Sequence, residues 1–199
     1  MRLVAISAAL VCAAAHAGFA EGVTIVLDFQ EPQNQQSIAE MKREFAGIMK
    51  DSALTFDFKS RAEAGSLAFS NLVVVRLKGT CVLKPIPYLY DERGPLAFTY
   101  STAGEVQPFT EVKCDQLTRS VQSAMSGGDF AHADLLMGRA LGRVLAHEIV
   151  HMLTRSRAHG HEGVGRTALS GAQLIAPELH LAPEDLDRLA ALAAFASSK

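Results

Sequence analysis

The chain has 199 residues, of which 49% are hydrophobic and 20% are charged, and its formal net charge at pH 7 is −2. This length and apolar content are sufficient for one domain with a substantial core. The charges are nearly balanced, and no basic stripe or interleaving of aromatic and basic residues is present. The composition therefore argues against nucleic acid and against an anionic membrane surface as partners.

Residues 1–17 have the pattern of an export signal. A short basic start and an apolar run precede Ala15-His16-Ala17, which has the A-x-A form of a cleavage site. The apolar run is too short for a permanent membrane-spanning helix. Removal of residues 1–17, which include Arg2, leaves a single domain over residues 18–199, with 182 residues and a net charge of −3. We therefore expect a secreted or periplasmic protein without a membrane anchor.

Two cysteines follow the signal, Cys81 and Cys114. Two cysteines in an exported chain indicate one disulfide, which would close a loop of 34 residues. Two free buried thiols and a metal-binding pair are the alternatives. The metal-binding pair is less favoured because neither cysteine has a second one at C-x-x-C spacing.

The first half of the chain is predicted to alternate strands with a helix. A β-branched apolar run over Val23–Phe29 is typical of a strand buried on both faces. Strands are also predicted at Leu54–Phe58 and, in a central position, at Leu72–Leu77, with a polar connection over Arg61–Ser66 between them. A capping box at Ser37–Glu40 predicts the start of the first helix. The apolar residues of that helix recur at helical spacing and are Ile38, Met41, Phe45, Ile48 and Met49.

The middle of the chain is predicted to be a loop followed by a hairpin. Three prolines and a glycine indicate a loop at Pro85–Pro95. Strands are predicted at Leu96–Tyr100 and Val106–Cys114, with a turn at Ala103-Gly104. Proline cannot donate a hydrogen bond to a β-ladder, so Pro108 indicates that the second strand lies at an edge or contains a bulge.

The last part of the chain is predicted to be mainly helical. A short helix at Asp115–Met125 precedes a long one at Ala131–Thr154, then an irregular segment at Arg155–Gly165, and Pro183 begins a last helix. This order of elements predicts an α+β fold in which a mixed, twisted sheet with an antiparallel edge strand packs on helices. Gly142 is expected to allow the long helix to approach the sheet. The predicted core face of that helix consists of Leu135, Leu136, Ala140, Val144 and Ile149.

The long helix carries the motif H-E-x-x-H at residues 147–151. His147 and His151 are four residues apart, so both imidazoles project from one helix face and can reach one ion. Glu148 can point into the same cleft without coordinating, where it would take a proton from a metal-bound water. A chance match on an ordinary helix is the alternative. The long helical pattern and the histidines downstream favour a zinc site.

A catalytic zinc ion commonly takes three protein ligands and leaves one position for water. His159 is the favoured third ligand, because the helix can end near Thr154 and Gly160 eases the return of the chain. His161 and Glu178 remain as alternatives.

The motif and the order of elements resemble the zincin superfamily of metallopeptidases. The spacing H-E-x-x-H-x(7)-H resembles that of metzincin-like secreted bacterial proteins, and Ala140–Glu148 is similar to the run that leads into their zinc helix. The resemblance is strong over residues 140–166 and extends to residues 23–114 in element order alone. It implies a zincin-like fold and a peptide substrate extended along an edge strand within Leu96–Cys114.

The chain departs from strict metzincins in the residues that follow the motif and in the methionine that those proteins place in a turn below the metal. Where these proteins have glycine and a third histidine, this chain has Thr154 and Arg157, and no methionine follows Met152. Where the longer-spaced relatives read Gly-Ile-Met, this chain reads Gly163-Val164-Gly165.

We therefore expect a monomeric, secreted zinc-dependent metalloendopeptidase that acts on a peptide or protein substrate, with Glu148 as general base. The alternative is a non-catalytic zinc-binding module with the same fold, and a weaker third possibility is a zinc hydrolase that does not cleave peptides. The group that stabilises the oxyanion stays open among Tyr100, Arg157, His161 and Arg166.

Overall fold

The computed structural model describes residues 22–85 and 94–196. The predicted export signal and most of the loop predicted at Pro85–Pro95 lie outside the described residues. Among the helices that are described, none is both long and apolar enough to cross a membrane. The elements are β1 Gly22–Phe29, α1 Gln35–Met49, β2 Thr55–Ser60, α2 Arg61–Ala64, β3 Leu72–Lys78, β4 Ala97–Thr102, β5 Glu105–Lys113, α3 Cys114–Ala124, a 3₁₀ helix Gly127–His132, α4 Ala133–Thr154, α5 Gly171–Ile175 and α6 Pro183–Ala196.

The strands form one five-stranded sheet with the order β2-β1-β3-β5-β4. The pairs β1–β2, β1–β3 and β3–β5 are parallel, whereas β4 pairs antiparallel with β5 and lies at the edge. The predicted α+β class and mixed sheet are confirmed, and β3 is the central strand as predicted. The hairpin β4–β5 thus ends the sheet on the side where the candidate site lies.

Helices α1 and α4 form the layer that covers one face of the sheet. The predicted apolar face of α1 is buried, and Phe45 contacts the rings of Phe56 and Phe58 on β2 edge-on. Gly142 lies at the contact with α1, where a Cβ atom would come within 2.8 Å of the Met41 carbonyl oxygen. The expectation that Gly142 allows approach to the sheet was therefore wrong, because the close neighbour is a second helix.

The first helix begins earlier than its sequence pattern predicts. Asn34 is the N-cap, and its side-chain oxygen accepts hydrogen bonds from the backbone nitrogens of Gln36 and Ser37. The capping box predicted at Ser37–Glu40 is wrong, since Asn34 already satisfies the free amide groups of the first turn. Ser37 is instead buried inside the helix.

Two further local predictions are corrected, and one short helix is added. The polar connection at Arg61–Ser66 contains the short helix α2, which Ser60 caps through a capping box with Glu63. Leu135 is 36% exposed, because it lies off the stripe formed by the other four predicted core residues of α4, all of which are buried. Helix α5 was not predicted, since five residues are too few to show a helical period.

The hairpin contains an irregularity beside the candidate site. Thr99 pairs with Thr110 and Ser101 pairs with Val106, so more residues lie on β5 than on β4 between the two pairs. Pro108 lies in this stretch, and β5 is an inner strand. Of the two predicted positions for this proline, the bulge is therefore the correct one.

The predicted disulfide between Cys81 and Cys114 is present, and both residues are buried. It joins the segment after β3 to the first residue of α3 across a separation of 33 residues. We predict that replacing both cysteines by serine lowers the free energy of unfolding by about 3–4 kcal/mol on the chain-entropy account. Urea unfolding of the two proteins measures this difference. A decrease in the free energy of unfolding of less than about 1 kcal/mol would show that the disulfide strains the native state.

Candidate metal centre

His147 and His151 lie one turn apart on α4, and backbone carbonyl groups orient both rings. Nδ1 of His147 is 2.8 Å from the carbonyl oxygen of Val164, and Nδ1 of His151 is 2.7 Å from that of Ser156. A carbonyl oxygen only accepts hydrogen bonds, so each Nδ1 carries the hydrogen and donates it. The Nε2 atom of each neutral ring then keeps its lone pair, as a metal ligand requires.

The end of α4 returns the chain to the two histidines. Arg155 adopts the left-handed conformation (φ 50°), and its backbone N–H bonds the carbonyl oxygen of His151. His159 follows, with its ring centroid 4.7 Å from that of His151 and 5.3 Å from that of His147. One nitrogen from each of the three rings lies within 4.8 Å of the other two. The end of α4 at Arg155 therefore allows the chain to bring the imidazole of His159 to those of His147 and His151.

The nitrogen positions fit a metal ion. The Nε2 atoms of His147 and His151 are 3.0 Å apart. Nitrogens bound at 2.0–2.1 Å to one tetrahedral ion would be about 3.4 Å apart. Two lone pairs that face each other at this distance repel, and a cation between them removes the repulsion. The three histidines could therefore hold a metal ion.

The protonation states of the histidines agree with this arrangement. Burial lowers the pKa of His151, and the neighbouring His147 lowers it further. Burial also lowers the pKa of His159, with a contribution from His151 in the same direction. Both imidazoles are therefore neutral at pH 7, which is the form that binds metal. Imidazole ligands suit zinc, copper, iron and nickel, so the ligand set does not by itself choose the metal.

Glu148 is 7% exposed and lies beside the three imidazoles. Its Oε1 atom is 4.0 Å from Nε2 of His147. Its Oε2 atom accepts hydrogen bonds from the hydroxyl groups of Thr99 on β4 and, at 3.3 Å, Thr110 on β5. The two threonines are directly opposite each other in the hairpin register. One oxygen of the carboxylate is therefore held by the sheet, and the other faces the imidazoles.

The site opens into a cleft of about 770 Å³ between β4 and residues 166–173. Its lining is mainly apolar on the side of the sheet, and most of its polar and charged residues come from α4, from the loop after α4 and from α5. The apolar residues that line it include Leu96, Ala97, Phe98, Val106, Val144 and Leu169.

Two arginines of α4 hold the far wall of the cleft. Arg143 is fully buried and bonds the carbonyl oxygens of Gln173 and Ala176, and Arg139 bonds those of Ile175 and Ala176. Gln173 itself lines the cleft. The sequence reading did not identify this role of Arg143, although an arginine within an apolar helical stripe was a usable signal.

The structure separates the other predicted candidates. His161 is exposed and lies outside the group of three histidines, and the Glu178 side chain is 82% exposed, with a carboxylate oxygen 3.6 Å from His180. Arg157 and Arg166 line the cleft. The ring of Tyr100 packs between Phe98 and Phe109 and is not part of the described cleft lining.

Comparisons with known proteins leave the family open. No family model matches the chain, and no curated protein is significantly similar to it in sequence. The functional conclusion therefore depends on the geometry of the site.

We predict that His159→Ala lowers the affinity for zinc by more than about 100-fold, because losing even an indirect partner of a metal site costs 10- to 100-fold. His161→Ala is the matched control, since that histidine is two residues away and outside the group, and its affinity should be unchanged. Competition with a chromophoric chelator measures both. Equal affinities for the two variants would mean that another residue is the third ligand.

Proposed function

We propose that this protein is a secreted zinc-dependent metalloendopeptidase. The observation that carries the proposal is the buried carboxylate of Glu148, held by two hydroxyl groups and directed at three converging imidazoles on the floor of an open cleft. A structural zinc site closes with four protein ligands, whereas three leave a position for water or substrate. The alternative, a non-catalytic zinc-binding module, would have no use for a carboxylate held in this way.

A bound zinc ion would lower the pKa of a water molecule toward neutrality and polarise the carbonyl group of a scissile peptide bond. The contribution of the chain itself is proton transfer. Oε1 of Glu148 is the oxygen that faces His147, so it is the atom that takes the proton from the attacking water. The same atom then delivers the proton to the nitrogen of the departing amine.

The hairpin positions this carboxylate. Oε2 already accepts two hydrogen bonds, from Thr99 and Thr110, so the side chain cannot rotate without breaking them. When a catalytic group is already held in its working geometry, no substrate binding energy is needed to order it during the reaction. The cross-strand threonine pair is therefore a positioning device for Glu148.

The edge strand supplies a place for an extended substrate. Among the described strands, β4 pairs with β5 alone, and Thr99 lies both on β4 and in the cleft lining. A peptide that adds to the free edge of β4 would bond its backbone there and lie across the histidines. The cleft is open, so an internal segment of a longer chain can occupy it.

The proposal is tested with the purified protein, an unfolded protein substrate and control of the metal. The zinc-loaded protein is expected to cleave the substrate, the chelated protein to be inactive, and added zinc to restore cleavage. Fragments identified by mass spectrometry would show whether internal bonds are cut. Absence of cleavage by a protein that holds one zinc ion per chain would contradict the proposal and favour the non-catalytic module.

We predict that Thr99→Val lowers kcat about 10-fold and leaves KM within two-fold, because the loss of one hydrogen bond to a charged group costs about 1.5 kcal/mol or more. Thr99→Ser should restore kcat, since it keeps the hydroxyl group. Thr102→Val, an exposed position on the same strand, is the matched control. A change in KM with an unchanged kcat would show that Thr99 binds substrate and does not position Glu148.

A further inference from the structure

The charged residues that line the cleft are unevenly distributed. Among the described residues that line it, Glu148 is the single acidic one, and Arg157 and Arg166 are the arginines. Both arginine side chains are exposed, and neither side chain makes a hydrogen bond or an ion pair with any residue in the described part of the chain. The carboxylate of Glu148 is already engaged by two threonines. The formal charges of these three side chains sum to +1, although the chain as a whole has a net charge of −2.

Both arginines lie on segments of the backbone next to His159. Arg157 precedes His159 by two residues, and the backbone of Arg166 forms a bridge with Gly160, the residue that follows His159. The backbone nitrogen of Gly160 also bonds the carbonyl oxygen of Gly165 at 2.8 Å. The two segments that carry the arginines are thus joined to each other next to the candidate metal site.

This position allows the arginines to meet substrate side chains near the scissile bond. In an extended peptide paired with β4, side chains alternate in direction, so every second one points away from the sheet face that holds Thr99. The guanidinium groups come from the opposite side of the cleft, on the loop that follows α4. The positions next to the scissile bond are the ones within their reach, because the arginines and His159 belong to the same loop.

The chemistry of the guanidinium group favours an acidic partner. It forms two parallel hydrogen bonds with a carboxylate, a geometry that adds both affinity and specificity. A group that stabilises an oxyanion acts best when other residues already hold it in place. Arg157 and Arg166 have no such support among the described residues, which favours a role in recognising a side chain.

We propose that Arg157 and Arg166 make the site selective for peptides that carry aspartate or glutamate beside the scissile bond. This substrate class rests on the proposed peptidase function. The apolar lining on the opposite side accommodates the rest of the peptide, and the two arginines select the charge.

The test uses two peptides that differ only in glutamate or glutamine beside the cleaved bond. The zinc-loaded wild type is expected to have a kcat/KM about 10-fold or more higher for the glutamate peptide, the value of one hydrogen bond between charged groups. Arg157→Gln/Arg166→Gln should lose the preference and retain activity on the glutamine peptide. Arg43→Gln, an exposed arginine on α1, is the control and should keep the preference. Equal activity of wild type on both peptides, or an equal loss on both in the double variant, would overturn the proposal.

A second measurement separates this proposal from the peptidase function. Zinc-loaded Glu148→Gln protein is titrated with the same two peptides, fluorescently labelled, and binding is followed by anisotropy. Tighter binding of the glutamate peptide that disappears with Arg157→Gln/Arg166→Gln supports the selectivity even if wild type cleaves nothing. Equal binding of both peptides overturns the selectivity even if wild type is an active peptidase.

Discussion

Glu148→Gln is expected to reduce hydrolysis of a peptide substrate by about 10²- to 10⁴-fold, the usual contribution of a general acid–base group. Glutamine has nearly the same shape, and its amide oxygen can still accept hydrogen bonds from Thr99 and Thr110. Its amide oxygen is too weak a base to take the proton from water, so the side chain has no proton to give to the leaving amine. The variant should therefore fold and bind zinc as the wild type does.

The measurement is kcat/KM on one peptide, together with zinc content per chain. Glu162→Gln is the matched control, because that glutamate is exposed and belongs to the loop that follows α4. Its activity should be within two-fold of wild type. If Glu148→Gln kept its zinc and lost less than about 10-fold in kcat/KM, another group would have to serve as the base.

Arg143→Met is expected to lower the free energy of unfolding by about 3–5 kcal/mol, as is usual when one partner of a buried ion pair is removed. Arg143 has no exposed side-chain surface, and its Nε is 2.7 Å from the carboxylate of Glu44, which is 17% exposed. Burial lowers the pKa of Arg143, and Glu44 opposes this shift. Methionine fills much of the space but leaves Glu44 and the carbonyl oxygen of Gln173 without their donor, and the carbonyl oxygen of Ala176 keeps only its bond from Arg139.

Urea unfolding at neutral pH measures the effect. Arg43→Met is the control, because Arg43 lies on α1, is 71% exposed and pairs with Glu40 three residues away. Its loss should stay within about 1 kcal/mol, as for other surface ion pairs. Similar losses in the two variants would mean that the buried contacts of Arg143 contribute no more than surface ones.

Arg143→Met should also have a local effect. Arg143 bonds the carbonyl oxygen of Gln173, which lies in α5, and that of Ala176, which directly follows α5. Gln173 on that helix lines the cleft opposite the edge strand. Loss of the arginine should therefore increase amide hydrogen exchange in α5 before the sheet is affected. The buried pair thus connects the packing of α1 and α4 to the wall of the candidate site.

The elements with strong local patterns could be predicted from the sequence. The β-branched runs of β1 and β3 and the apolar spacing of α1 reflect which face each residue buries, and the structure confirms them. Boundaries were less accurate, as at Asn34, because several polar residues in a row can each cap a helix. Short α2 and α5 lack enough residues for a period.

The candidate site likewise has one part that could be predicted from the sequence and one part that could not. The placement of His147, Glu148 and His151 on one turn of a helix follows from the spacing of the motif, since helix geometry is local. His159 and His161 could not be separated by spacing, because the direction of each side chain in an irregular loop depends on what the loop packs against. The structure places His159 with the helical pair and leaves His161 exposed.

The sequence by itself determined the strands, the long helix, the pairing of two cysteines and the histidine pair with its glutamate. Only the tertiary structure decided that Thr99 and Thr110 hold Oε2 of Glu148, that Arg143 is buried against Glu44, and that two exposed arginines border the cleft. The contacts of Glu148 with the two threonines and of Arg143 with Glu44 join residues 38 to 99 positions apart in the chain. Periodicity and spacing describe neighbours along the chain, whereas the chemistry of this site depends on neighbours across the fold.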